Sequence, residues 1–342
     1  MEDPEGKGTE RTVMKAYAAY NRDKKTRYES SSGGVFPALA EAVLKKQGVV
    51  FGVRFDGDFQ AVYDCAQTME EVRKFQGAKY VFPSTDGVYL QVKAYLEQGR
   101  YVLFTGLPCH TAGLLYYLRD TDQSTLFCAD LVCHGTPERT AWNAWLKEEE
   151  QRRGSITGIR MRDKSRGWTD YQIAVTDWSG SEHREYASDH IYMRGFVGSL
   201  YLRKPCYRCR FRGMERSSDL TLGDYWGGGR IHPDLDDDGG LSLILCHTKK
   251  GKKLLESAAE KLIYAETDPE YAVTQNKALV CSPEEPVERE AVLRALEKGD
   301  GFRRATAAWI RRNTDGKIRW RIRRMRRLYK KKIRLLKNLY VL

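Results

Sequence analysis

Between residues 84 and 133 the chain twice sets an amphipathic segment before a short apolar run: "STDGVYLQVKAYLEQG" (84–99) before "YVLFTG" (101–106), then "HTAGLLYYLRD" (110–120) before "TLFCADLVC" (125–133). A short apolar run without alternation is buried on both faces, as a strand inside a parallel sheet covered by helices must be. "VFPALAEAVLKKQG" (35–48) followed by "VVFGVRF" (49–55) repeats the pairing. The expected first half is therefore α/β with a mainly parallel sheet. Beyond about residue 155, "ITGIRMRDK", "YQIAVTDW" and "SLILCHT" read as strands between Gly- and Asp-rich turns. They predict a smaller α+β half with a mixed sheet.

Four segments follow: a disordered leader over 1–14, the α/β half over 15–154, the α+β half over 155–300 and a basic amphipathic helical tail over 301–342. The net charge of +12 is concentrated in that tail, where sixteen Lys or Arg face one acid, Asp315. The body is mildly acidic, which argues against nucleic acid except through the tail. Ile318, Ile322, Met325, Tyr329, Ile333, Leu336 and Tyr340 recur at steps of three or four and form one helical stripe among the basic residues. Such a helix suits an anionic membrane surface over 303–340, each basic residue contributing about 1 kcal/mol, with Trp309, Trp320, Tyr329 and Tyr340 in the headgroup zone. A helix docked on the body and an RNA-binding arm are the alternatives.

No apolar run reaches the roughly 18 residues of a membrane span, and the first residues lack the order of a secretory signal. The expected location is the cytoplasm, with the inner face of the cell membrane as a peripheral site. Disulfides are uncommon there, so the eight cysteines are read as ligands, catalysts or core fillers. Cys128 and Cys246 sit inside apolar runs and read as buried hydrophobes, and Cys65 and Cys281 have no companion. Cys109 and Cys133 each follow the end of an apolar strand, where ligands collect in open parallel sheets. With the C-x-x-C pair Cys206 and Cys209 they make four candidate ligands. Four thiolates suit zinc or an iron–sulfur cluster, and spacing leaves cluster, zinc and no metal open.

Ser30 to Gly34 directly precede a helix, as an anion cradle or a plain N-cap would. Gly77, Lys79 and Tyr80, then Arg162, Asp163, Lys164 and Trp168, then Arg216, Ser217, Asp219, Asp224 and Trp226 are ordinary turn residues taken singly. Together they are rich in groups that position a phosphate or a flat ring. His110 and His134 follow candidate ligands directly and suit proton transfer or a backbone-bonded turn. No zinc-protease, P-loop or serine-hydrolase motif occurs.

Taken in order, "SSSGGVF", "GAKYV", "VLFTGLPCHTAGL", "DLVCHGTP", "RDKSRGW", "YLRKPCYRCRF" and "RSSDLTLGDYWG" resemble the coenzyme F420 hydrogenase/dehydrogenase β-subunit family, from about Tyr17 to Thr248. The resemblance implies an FAD-binding iron–sulfur oxidoreductase in which Cys109, Cys133, Cys206 and Cys209 hold one 4Fe–4S cluster. It places the flavin in the 15–154 half, with Ser31, Ser32, Gly33, Gly34, Lys79, Tyr80, Asp224 and Trp226 as contacts. His110, His134 and Lys164 are the catalytic candidates. Ferredoxin or another electron-transfer protein is the expected partner. The substrate is expected to be a small molecule such as the deazaflavin. A lipid-linked sugar is the other expectation, because the basic tail resembles that of relatives tied to polysaccharide biosynthesis. The sequence departs from many relatives in having no cysteine before Cys65, so either electrons are expected from a separate ferredoxin or the ferredoxin domain was lost with a gene split or a misplaced start. The competing reading is a non-catalytic zinc-bound four-cysteine module, recruited to membrane or nucleic acid by its tail.

Overall fold

A computed structural model describes residues 11–313. Eleven strands occur among them: β1 (Arg11–Asn21), β2 (Val49–Phe55), β3 (Ala61–Ala66), β4 (Val102–Gly106), β5 (Leu126–Leu131), β6 (Ile156–Asp163), β7 (Gln172–Asp177), β8 (Glu182–Tyr186), β9 (Leu220–Asp224), β10 (Ser242–Thr248) and β11 (Leu262–Thr267). Eight form one mixed sheet in the order β11-β1-β10-β9-β5-β4-β2-β3, and β6-β7-β8 form a small sheet. The four central strands β9, β5, β4 and β2 are parallel, in register through Ala129↔Leu220, Val102↔Leu126 and Val49↔Val102. The flanking pairs are antiparallel, as are both pairs of the small sheet.

The alternation of side chains along the central strands explains their apolar runs. Val102 and Phe104 of β4 face the helices Val88–Glu97 and Pro108–Tyr117 through Val88, Val92, Leu114 and Leu118. Leu103 faces the other way, with Leu39 and Val43 of the helix Val35–Leu44 and Leu254 and Leu255 of the helix Lys249–Ser257. β2 and β5 divide their residues in the same way, so both faces are dry. Burying each such side chain contributes about 1.5–3 kcal/mol. No helix among the described residues is long and apolar enough to cross a membrane.

Three expectations are corrected. Arg11–Met14 belong to β1 rather than to a leader, and the rest of the expected leader lies outside the described residues. "SLILCHT" is not part of a separate sheet: it is β10, buried along its whole length in the main sheet between β1 and β9. The small sheet of the second half is purely antiparallel rather than mixed. A strand with both faces buried needs neighbours on both edges and helices on both faces, which only the large sheet supplies.

The start of the tail is corrected as well. Phe302–Arg312 form a helix with Phe302, Thr306 and Trp309 buried, packed with the aromatic cluster of Trp142, Trp145, Tyr192 and Tyr201. Arg303 pairs with Glu148 at 2.9 Å and Arg312 with Glu288 at 3.1 Å. A buried Trp309 cannot serve a lipid headgroup zone, so this segment is a helix docked on the body. The remaining tail, with Trp320, Tyr329 and Tyr340, lies outside the described residues.

Candidate functional site

The parallel strands end together, and their carboxyl ends open onto a cavity of about 530 Å³, within the range of ligand pockets. Thr105 and Gly106 close β4, Leu131 closes β5 and Asp224 closes β9, and all four line it. Residues of the connecting segments and of one helix start complete the wall: Ser30–Ser32, Gly34–Pro37, Phe75–Tyr80, Cys133–Pro137 and Gln275–Ala278. The walls present mostly apolar and aromatic groups.

The Ser30–Gly34 turn is fixed from behind. The Asn21 amide donates to the Gly34 carbonyl at 3.0 Å, Asn21 N–H to the Gly33 carbonyl at 2.7 Å and Gly33 N–H to the Ser242 hydroxyl at 2.9 Å. A side chain at Gly33 would strike the Ala19 carbonyl and the Ser242 N–H, and Gly34 takes a φ of +80° that favours glycine. The helix Val35–Leu44 that follows has no side-chain cap, and its first residues line the cavity. Its first-turn N–H groups and the positive end of its dipole therefore suit an anion such as a phosphate.

The opposite wall is a stacked, charged layer. Arg162 binds Asp224 through two nitrogens at 2.9 and 3.3 Å and lies 4.1 Å above the Tyr171 ring. Trp168 donates to Asp224 at 3.0 Å and stacks on Trp226 with centroids 4.5 Å apart and planes 7° apart. Tyr80 leans on Phe196 at 4.7 Å and accepts from Arg162 at 3.3 Å. Flat rings held in place by an ion pair suit a planar heterocycle.

Of the expected flavin contacts, Ser31, Ser32, Gly34, Lys79, Tyr80, Asp224 and Trp226 line the cavity, while Gly33 lies behind its wall. Lys79 spends its ammonium on the carbonyls of Lys74, Phe75, Gln76 and Gly77 at 2.8–3.2 Å. Burial pushes it down to about 7, against the pull of those four oxygens. Tyr171, Phe196 and Gln275–Ala278 also line the cavity and were not expected. Tyr171, beside the "RDKSRGW" stretch, carried the one available signal.

Cys109 stands in the first turn of the helix Pro108–Tyr117, Cys133 follows β5, and Cys206 and Cys209 sit in and after the short helix Lys204–Arg208. Cys109 lies within electrostatic reach of the other three, and Cys133 within reach of Cys109 and Cys206. Burial first, then Cys209 and Cys206, push Cys109 up to about 11, and burial first, then Cys206 and Cys109, push Cys133 up to about 12. Nearby backbone N–H groups, of Cys109 and His110 at Cys109 and of Gly135 at Cys133, pull the other way. Thiols raised this far keep their protons unless a cationic group takes the place of those protons. Among the described residues no group of three or more His, Cys, Asp and Glu is arranged to hold a metal ion. Cys133 lines the cavity, so the thiol group and the cavity share a wall. Cys128 and Cys246 are buried in the core, and Cys281 is exposed.

The catalytic candidates are placed apart. His134 lines the cavity, with its Nε2 3.0 Å from the Ser199 hydroxyl and 3.2 Å from the Phe196 carbonyl. His110 is buried with its Nδ1 3.1 Å from the Tyr63 hydroxyl. Lys164 lies outside the lining and donates to the carbonyls of Arg27, Ser32 and Gly239 at 2.5–2.9 Å, tying the Ser30–Gly34 turn to the loop before β10.

Comparison with known proteins gives a consistent picture. The family described as the C terminus of the coenzyme F420 hydrogenase/dehydrogenase beta subunit matches residues 99–271, and the corresponding N-terminal family matches residues 16–86. Among solved structures, the chain is similar to one from the xenon-derivatised F420-reducing NiFe hydrogenase complex of Methanosarcina barkeri. Identity is 17%, coverage is 81% of this chain and 93% of that one, and the TM-score is 0.51. That likeness is one of fold. No curated protein matches.

Proposed function

The chain belongs to the coenzyme F420 hydrogenase/dehydrogenase beta-subunit family, and we propose that it is an oxidoreductase using FAD and one 4Fe–4S cluster. The observation that carries this reading is the shared wall. Cys133 lines a cavity whose far side is an uncapped helix start and whose near side is a layer of rings, and Cys109 and Cys206 act electrostatically on its thiol, as Cys206 and Cys209 do on that of Cys109.

In this reading Cys109, Cys133, Cys206 and Cys209 hold the cluster. The Ser31–Gly34 turn and the start of the helix Val35–Leu44 hold the flavin phosphates. Tyr80, Tyr171 and Trp226, held by the Arg162–Asp224 pair, flank its ring system. Together the two groups supply exchange between two-electron and one-electron chemistry. The residues' part is to bind, orient and exclude water. His134, at the cavity wall, is the side chain placed to hold or move a proton. Lys164 has its donors on three carbonyls and shapes the turn instead.

The electron partner is a ferredoxin or similar carrier, and the substrate is a small molecule, either a deazaflavin or a lipid-linked sugar. Of the segment 303–340 expected at an anionic membrane surface, residues 314–340 are left for that role, and they carry twelve Lys or Arg. The test is anaerobic purification with an absorption spectrum and assays of flavin, iron and sulfide. One flavin and about four irons per chain are expected for a single cubane. A colourless protein without flavin contradicts the reading.

A further inference from the structure

We propose that Thr136 is a positioning residue whose hydroxyl donates a hydrogen bond to the Cys206 sulfur and thereby raises the reduction potential of the cluster that Cys206 helps to hold. The inference rests on the cluster reading above and goes beyond it.

Thr136 Oγ1 stands 3.8 Å from Cys206 Sγ, within hydrogen-bonding range for sulfur. Either atom is a possible donor in a free thiol, but a metal-bound sulfur has no proton and can only accept. Thr136 is largely buried and stands at the cavity wall, on the side of Cys133. The backbone sets the approach without help from the side chain. Arg203 N–H donates to the Thr136 carbonyl at 2.8 Å, and Cys206 N–H donates to the Arg203 carbonyl at 2.9 Å. Gly135 lets the two loops close, because a Cβ there would stand 2.8 Å from Leu202 Cδ1 and 3.2 Å from Cys206 Cβ.

Among the described residues, Thr136 is the side chain with a hydroxyl in hydrogen-bonding range of one of the four candidate ligand sulfurs. Hydrogen bonds to ligand sulfurs withdraw electron density and favour the reduced, more negative state. Thr136 is thus the position through which a sequence change adjusts this cluster.

The test compares wild type with Thr136→Val, which keeps shape and loses the donor, and Thr136→Ser, which keeps the donor. Iron and sulfide are assayed first, and the midpoint potential is then read by a mediated titration followed by electron paramagnetic resonance. Thr136→Val is expected to stay loaded and to be harder to reduce by about tenfold in the equilibrium, equivalent to about 59 mV for one electron. Thr136→Ser is expected to match wild type. Equal potentials in loaded wild type and Thr136→Val overturn the proposal, as does a shift in Thr136→Ser equal to that in Thr136→Val. Should Thr136→Val lose the cluster, Thr136→Ala is the second donor-free variant. Loss from both with retention in Thr136→Ser supports the donor, and loss from Thr136→Ser as well overturns it. Wild type without iron overturns the cluster reading first and this inference with it.

Discussion

Arg162 and Asp224 are joined by two hydrogen bonds of 2.9 and 3.3 Å on the cavity wall, with the guanidinium side chain only 3% exposed. Asp224 is the counter-charge of a buried cation and also the acceptor that aligns Trp168 against Trp226. Asp224→Asn removes the charge and keeps the shape. Breaking a buried pair from one side costs about 3–5 kcal/mol, so the variant's urea midpoint is expected to fall and its bound flavin per chain to fall with it. A variant as stable and as yellow as wild type contradicts this role.

Asp130 provides a pH signature. Burial holds its carboxyl up at about 6 against an ordinary 3.8, with Arg216 and the Thr221 hydroxyl pulling the other way. The folded state therefore binds this proton more tightly than the unfolded state. Its contribution to stability is full below about pH 4 and is lost as pH rises through about 6, a change of about 3 kcal/mol at 1.36 kcal/mol per unit. Asp130→Asn is expected to remove that slope. Denaturant midpoints measured from pH 4 to 7 decide it, and equal slopes in both proteins count against the assignment.

Trp309 anchors the helix Phe302–Arg312, lying against Gly198, where a Cβ would collide with its ring. Trp309→Ala is expected to cost about 3–5 kcal/mol and to open that helix to limited proteolysis near residue 300. Were this segment a lipid-facing helix, the substitution would leave stability in solution unchanged and reduce binding to anionic vesicles.

Much of the central sheet was legible in the sequence because parallel strands are continuous apolar runs: β2 matches its expected bounds, and β4 and β5 lie within theirs. β10 was legible as a strand but not as a neighbour of β1. That pairing, Tyr17↔Ile244 for example, spans more than two hundred residues and leaves no local mark. The Ser30–Gly34 turn announced itself through Gly33 and Gly34, whose positions admit no side chain without strain or collision. Tyr171, Phe196 and Gln275–Ala278 reach the cavity only through tertiary placement, and their types are those of any packed turn. Trp309 misled because an aromatic residue among basic ones reads equally well as a lipid anchor and as a core plug.

The central claim is that Cys109, Cys133, Cys206 and Cys209 act as one ligand set. The most direct test is iron and sulfide content in anaerobically purified single Cys→Ser variants of each, beside Cys65→Ser and Cys281→Ser. The account predicts about four irons in wild type and in the last two, and loss of most iron in each of the first four. Iron retained at the wild-type level in any of the four, or lost equally from Cys65→Ser and Cys281→Ser, would contradict it.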